Sequence, residues 1–413
     1  MNRADIDRRA FLCAGTAVAA GSVWGCTNDG APQTSRTLRD GFPRAATETF
    51  LNAAGGMPLS DFAEAGLHRY MDFIRLGPGD GRGDYFGQMW SEIRGDFAQL
   101  INAEEEEISL VHCTKAGEQF VMDGLPALRS GGNLVSNDFH FSGSLHNLVG
   151  MRESGFDVRI VKSDGRDVSL EAMADQIDER TALVSITLLS NVNGRIENVR
   201  ALADVVHEVG GYLYADIIQA AGIYPIDMTE MGIDFAACSA YKWLHGVHGT
   251  GFMYVRKGLE ADALDHVRFP GNARHNYRPW TPSPDAAQGD FLFSPRQDGR
   301  RYEPGHVSYL GYCAVYEGMK FIQENGVSAL QAHSGGLAKR IADGLDDTRY
   351  ECTSPNPGET PIVAFRFDPN IDLEPRLREN GIVISLGQGS MRISPAIFNT
   401  EEDVDHLVRV LNA

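Results

Sequence analysis

The sequence predicts an α/β fold: a mostly parallel sheet with helices on both faces. Two observations support this. Six short, apolar, β-rich runs occur at 134–136, 158–161, 182–187, 212–216, 235–239 and 251–255. Between several of them lie amphipathic stretches of about ten residues, such as 169–177 and 199–209, and strands alternating with helices of that length build parallel sheets. At 413 residues the chain can bury more than one core, so a second, smaller domain is expected beside the sheet.

Composition narrows the class of protein. A hydrophobic fraction of 43% and a charged fraction of 23% belong to an ordinary globular chain. Lys plus Arg number 37 against 56 for Asp plus Glu, a net charge of -19. That balance argues against nucleic acid and anionic membrane surfaces as partners.

Taken in order, the chain begins with Asp7-Arg8-Arg9-Ala10-Phe11-Leu12 and a modest apolar run to Val23. A cationic start before a short apolar stretch reads as an export signal, and the paired arginines resemble the twin-arginine type, which carries folded proteins. We assign 1–30 to this signal and expect a periplasmic or exported protein. Val23-Trp24-Gly25-Cys26 also resembles a lipoprotein cleavage site, so Cys26 is a candidate lipid anchor and the only expected link to a membrane. Residues 31–46 read as a Gly-, Pro- and Thr-rich linker. A large domain is expected over 47–300, ending in a proline-rich stretch, 271–299, that reads as a long surface loop. A smaller α+β domain is expected over 301–413, with helices near 309–324 and 328–345, a strand at 361–367 and a strand pair near 381–394. Its last helix starts at Thr400, where Asp403 completes a capping box. Cys113, Cys238, Cys313 and Cys352 lie in no CxxC or Cys/His pattern, so no metal site is expected.

Two strand ends carry chemistry. In Tyr212-Leu-Tyr-Ala-Asp216-Ile-Ile-Gln219 an apolar strand ends in a carboxylate, and the carboxyl ends of strands are where open α/β folds bind ligands. Alone, such an aspartate is commonly a helix cap. In Asp234-Phe-Ala-Ala-Cys-Ser239-Ala-Tyr-Lys242 another apolar strand ends in a lysine. A buried, solitary lysine loses its proton easily and becomes a nucleophilic amine, the group that forms a Schiff base with a carbonyl cofactor. An aspartate beneath a pyridine ring keeps the ring nitrogen protonated.

Together with Met-Arg392-Ile-Ser-Pro395, these segments resemble the class V aminotransferases, fold type I pyridoxal-phosphate enzymes that include cysteine desulfurases, selenocysteine lyases and isopenicillin N epimerases. The resemblance runs from Phe50-Leu-Asn-Ala-Ala-Gly-Gly56 to the C-terminus. It implies a seven-stranded, mostly parallel sheet, pyridoxal 5'-phosphate as cofactor and a homodimer with its site at the subunit interface. It implies that Lys242 holds the cofactor and acts as general base, that Asp216 partners the ring nitrogen and that Gln219 bonds the ring hydroxyl. Ser239 corresponds to a phosphate-binding serine. Thr114 and Lys115, in His112-Cys-Thr114-Lys-Ala-Gly117-Glu, correspond to the phosphate loop at a helix start, though a plain strand-to-helix turn accounts for that segment equally well. Asn191 corresponds to an asparagine near the cofactor and substrate, and Arg392 to the arginine that grips the substrate α-carboxylate.

This chain departs from the family in several places. Tyr241 stands where many relatives have histidine. The ring that stacks on the cofactor falls on Phe141, with His140 as rival. Where a neighbouring subunit usually offers Gly-Thr to the phosphate, this chain reads Glu303-Pro-Gly305-His306, so His306 is the candidate donor there. Lys115 inside the phosphate loop is unusual. The stretch Ile384-Ser-Leu-Gly-Gln-Gly-Ser390 lacks the mobile cysteine of desulfurases, which argues against persulfide chemistry. The expected activity is therefore on the amine of an amino acid or peptide-like substrate, transamination first. Racemisation or epimerisation, C–S or other β-elimination, and tailoring of an exported siderophore peptide are alternatives. A non-catalytic exported binding protein that kept the fold is the reading from another class.

Overall fold

A computed structural model describes residues 35–259, 263–264, 273–275, 293–296 and 298–413. The proposed signal, Cys26 and most of the 271–299 stretch lie outside the described residues. Ser35–Ala413 form one compact unit.

The strands are β1 (Thr49–Phe50), β2 (Ile108–Val111), β3 (Asn133–Asn137), β4 (Val158–Val161), β5 (Thr181–Thr187), β6 (Tyr212–Asp216), β7 (Phe235–Ser239) and β8 (Gly251–Val255). Seven of them, β2 to β8, form the main sheet in the order β2-β8-β7-β6-β5-β3-β4. The pairs from β4 across to β7 are parallel, while β8 runs antiparallel to both β7 and β2. The architecture is the expected one. The edge strand β2 was not legible in the sequence, because four residues give too short a run to separate from a buried turn.

Alternate residues of these strands feed two cores, as the two-residue period of a strand requires. Leu213, Ala215, Ala236 and Cys238 face one layer, which contains Leu202 and Val206 of the helix Val199–Glu208. Tyr214, Phe235 and Ala237 face the other, with Val121 and Met122 of the helix Thr114–Gly124. A sheet covered on both faces must be apolar on both, which is why these runs show no polar alternation.

After two short segments that pair antiparallel, β9 (Ala273–His275) and β10 (Phe293–Pro295), come the remaining strands. These are β11 (Glu351–Cys352), β12 (Val363–Arg366), β13 (Ile382–Val383), β14 (Ser385–Gly387) and β15 (Ser390–Ile393). β11-β12-β15-β14 make a small antiparallel sheet. Its core is built with the helices Val327–Gly344 and Glu401–Asn412. The Thr400–Asp403 capping box forms as the sequence predicts. The helix Tyr309–Asn325, expected with the C-terminal domain, instead sends Tyr312, Val315, Met319 and Ile322 into the core of the large sheet. It crosses the helix Asp61–Leu76 so closely that a Cβ on Gly66 would lie 2.4 Å from the Cys313 carbonyl oxygen.

The linker expectation for 31–46 needs correction over its described part. Ser35–Asp40 is helical, Pro43–Ala46 is a 3-10 turn, and Phe42 is 1% exposed among Phe62, His245, Phe321 and Phe398. Arg39 pairs with Asp403 at 2.5 Å. Turn-rich composition marked the bends correctly, but one aromatic ring and one ion pair fix the segment to the body. Among the described residues no helix is long and apolar enough to cross a membrane, and no cluster of His, Cys, Asp and Glu is placed to hold a metal ion.

Candidate active site

β6 ends in Asp216, which is 2% exposed. Its carboxylate accepts a hydrogen bond from the Ile218 N–H at 2.9 Å. Burial raises its pKa above the usual carboxylate range, against the pull of His140, of that N–H and of Lys242. The turn that follows places Gln219. Its Oε1 accepts from the Trp243 indole N–H at 2.9 Å and its Nε2 donates to the Ala54 carbonyl at 3.0 Å. Those partners fix which way the amide points and leave one N–H of Gln219 uncommitted.

β7 runs beside β6 and ends at Ser239. The chain then folds back tightly, with Gly246 N–H bonded to the Ala240 carbonyl at 2.8 Å and His245 N–H to the Lys242 carbonyl at 2.9 Å. A Cβ on Gly246 would lie 2.5 Å from Val315, so this turn requires glycine. The turn presents Lys242 with 6% exposure. Burial is the largest influence on its amine. Arg392 adds to it and Asp216 opposes it, and together they lower the pKa to about 8. A useful fraction of Lys242 is therefore the neutral nucleophile near neutral pH.

Thr114 and Ser239 form a closed pair. Thr114 N–H donates to Ser239 Oγ and Ser239 N–H donates to Thr114 Oγ1, each at 2.8 Å, and the hydroxyls lie 3.0 Å apart. This couples the end of β7 to the first turn of the helix Thr114–Gly124, whose N-terminus suits an anion. Lys115, expected to bind the cofactor, turns its ammonium to Glu118 and, at 3.4 Å, to Ser144 Oγ. Its ammonium is engaged there, in a buried polar group under the loop.

Arg392 projects from β15. Its guanidinium donates to the Asn191 carbonyl at 2.8 Å and to Asn52 Oδ1 at 3.3 Å, and its buried Nε has no partner among the described residues. Burial lowers its pKa. Asn191 thus contributes its backbone oxygen to hold Arg392. Asn52 was missed in the sequence; a polar residue interrupting the apolar approach to Ala53-Ala-Gly-Gly56 was the available signal.

The candidates for the stacking ring divide clearly. His140 is buried, with both ring nitrogens engaged by Phe141 N–H, Ser185 and Glu118. Phe141 is 38% exposed. Glu118 and Ser185 were not legible as site residues, since nothing in a lone Glu one turn into a helix marks it. Tyr241 packs against His248 with the rings tilted by 34° and their centroids 4.1 Å apart. His306 is exposed and bonds Tyr309 at 2.8 Å, so its own chain does not gather it with Lys242.

The residues fit the cofactor the resemblance implies. A neutralisable lysine, a buried carboxylate with few donors and an orphaned guanidinium N–H meet at the carboxyl ends of β6 and β7. That set matches an aldehyde, a ring nitrogen and a carboxylate-bearing substrate.

Comparison with known proteins identifies the family and the fold. The family model described as Aminotransferase class-V matches residues 78–407. The chain is 24% identical over 375 residues to the uncharacterized aminotransferase YcbU of Bacillus subtilis, covering 89% of this chain and 94% of that protein. It is 25% identical over 406 residues to a probable cysteine desulfurase of Methanothermobacter thermautotrophicus, covering 91% and 96%. In fold it is similar to the cysteine desulfurase CsdA of Escherichia coli, with a TM-score of 0.78 at 19% identity over 92% of this chain and 98% of that one.

Proposed function

This chain belongs to the class V aminotransferase family and is a pyridoxal-phosphate-dependent enzyme; we propose that it acts on the amine of an α-amino acid or a peptide-like substrate with a free α-carboxylate, in the first place by transamination. One observation carries the reading. Among the described residues Arg392 has a buried N–H without a partner and no carboxylate ion-paired to it, and it lies near enough to Lys242 to depress the amine's pKa. An unpaired guanidinium in that position is costly unless an anion completes it.

Pyridoxal phosphate, when bound, supplies an electron sink for the substrate α-carbon. The rest is the work of this chain. Lys242 takes and returns the α-proton as an amine of near-neutral pKa. Asp216 holds the proton at the ring nitrogen, and Gln219 offers its uncommitted N–H to the ring oxygen. The N-terminus of the helix Thr114–Gly124 and the Thr114–Ser239 pair receive the phosphate. Arg392 grips the α-carboxylate, and so fixes which substituent of the α-carbon stands ready to leave.

A second reading, cleavage of a C–S bond, is favoured by relatives named as cysteine desulfurases. In it no protein persulfide forms, because the β14–β15 hairpin contains no cysteine. Racemisation, and action on an exported siderophore peptide, belong to the same proposal as further uses of this site. So do a homodimer in which His306 serves the other subunit, delivery through the twin-arginine-like start, and an anchor at Cys26. Cell fractionation and sedimentation test these last three.

The deciding experiment is an absorption spectrum of the purified protein before and after borohydride, followed by a panel of amino acids. The reading expects a visible band that borohydride bleaches, with the label on Lys242, and a keto acid formed without ammonia. Ammonia or sulfide among the products would select elimination. Absence of any band after pyridoxal phosphate is added would overturn the function.

A further inference from the structure

Beneath the cofactor site lies a buried polar group that the chemistry above does not use. Glu118, one turn into the helix Thr114–Gly124, is 1% exposed. Its Oε2 accepts from the Lys115 ammonium and from Ser144 Oγ at 2.7 Å. Its Oε1 lies 3.2 Å from His140 Nε2 and 3.3 Å from Ser185 Oγ. Ser185 pairs with Tyr214 in the sheet, and Tyr214 is two residues before Asp216 on the same strand. The group therefore sits one pleat below the carboxylate of the site.

We propose that Glu118 and His140 are positioning residues: a chain of hydrogen bonds from Glu118 through His140 to the Phe141 N–H sets where the Phe141 ring stands over the cofactor. The proposal rests on the reading above that Phe141 is the ring covering the cofactor.

The direction of each bond follows from its donors. His140 Nδ1 lies 2.9 Å from the Phe141 nitrogen, and a backbone N–H can only donate, so Nδ1 is the acceptor. The ring proton is then on Nε2 and points at the Glu118 carboxylate and Ser185. A carboxylate opposite Nε2 enforces that tautomer. Glu118 remains an anion there. Burial raises its pKa, but the bonds from His140 and the Lys115 ammonium outweigh burial and hold it below the usual carboxylate range. The other tautomer would set a ring N–H against the Phe141 N–H and break the link.

Phe141 depends on that link. It is the N-cap of the helix Ser142–Glu153 and makes no side-chain cap bond, so the His140 acceptor is what holds its N–H. Its ring lies over the first turn of that helix, where a Cβ on Gly143 would come within 2.6 Å of the ring carbon Cε1. Gly143 is therefore the space the ring requires, and alanine there would push the ring away.

Five variants test the proposal, each read by the dissociation constant of pyridoxal phosphate, the circular dichroism of its bound visible band and the melting of the apoprotein. Phe141→Ala tests the underlying reading; unchanged cofactor affinity would remove Phe141 from the site and leave nothing for the chain of bonds to position. Glu118→Leu should weaken the cofactor about tenfold and reduce the dichroic band. Glu118→Gln keeps an acceptor for His140 and should stay within about threefold of wild type. His140→Phe should behave as Glu118→Leu. Should Glu118→Leu not fold, Gly143→Ala carries the test: it should weaken the cofactor about tenfold while the apoprotein melts no lower. A Phe141→Ala defect with wild-type affinity in Gly143→Ala and His140→Phe would overturn the positioning role. So would a nitrogen NMR spectrum showing His140 Nδ1 protonated in the holoenzyme.

Discussion

Asp216 and Asp234 stand at opposite ends of neighbouring parallel strands, and both are buried, at 2% and 0% exposure. Their surroundings differ. Asp234 accepts from the Leu213 N–H at 2.8 Å, from His207 Nε2 at 2.8 Å and from Arg256 at 2.9 and 2.7 Å. Among the described residues Asp216 accepts one N–H, from Ile218. A buried carboxylate with all its acceptor sites filled is a structural joint, whereas one left short of donors is held ready for a ligand. Among the described residues the same contrast separates Arg195, locked between Asp167 and Glu197, from Arg392, which has no carboxylate ion-paired to it.

The largest expected effect comes from removing the group that faces Asp216. Lys242→Ala should lower turnover by at least about 10³-fold and abolish borohydride labelling; retained turnover would mean that the under-donated end is not the reacting end. Next is the pH dependence of apoprotein stability. Lys242 has a pKa of about 8 when folded and about 10.4 when unfolded, so the unfolded chain binds more protons across that window. Stability therefore rises with pH from about 8 to about 10.4, by about 3 kcal/mol. Chemical denaturation should show apo Lys242→Ala more stable than wild type at pH 7, with the gap closing by pH 10.5. A constant gap would show that folding does not lower the pKa of this amine.

The two aspartates should then diverge. Asp216→Asn should lower turnover about 10²-fold with no loss of melting temperature, because it removes an under-solvated charge. Asp234→Ala should destabilise by about 2 kcal/mol, leaving the Leu213 N–H unsatisfied, with cofactor affinity unchanged. Reversal of either result would break the contrast. Arg392→Ala should raise KM about 10- to 100-fold for α-amino acids and leave simple amines unaffected, the value of one charge-assisted bidentate contact. The smallest effect sharpens the picture. The pH midpoint for cofactor capture by the apoprotein should fall in Asp216→Asn and rise in Arg392→Ala, since the two groups push the Lys242 pKa in opposite directions. Movement in the same direction would mean that the residues do not share one site.

The site was legible in the sequence where a residue type was improbable for its place. A lysine and an aspartate at the ends of apolar strands, and an arginine in Met-Arg392-Ile-Ser-Pro395, could be named before any coordinates. Lys115 was legible as a charge in a loop but not as a partner of Glu118. Asn52, Glu118 and Ser185 were not legible, since an ordinary polar residue acquires meaning only from what lies opposite it. Their partners are 340, 22 and 67 residues away or spread over several elements.

By itself the sequence determined the alternation of strands and helices, because hydrophobic period and turn chemistry are local properties of the chain. It also determined that a lysine and an aspartate close two apolar strands. Tertiary structure alone decided which strand forms the far edge and which segment near the N-terminus packs rather than links. It decided, too, which charged groups go unsatisfied. Those outcomes depend on distances between residues far apart in the chain, and a buried charge is stable or reactive according to the donors that folding brings to it.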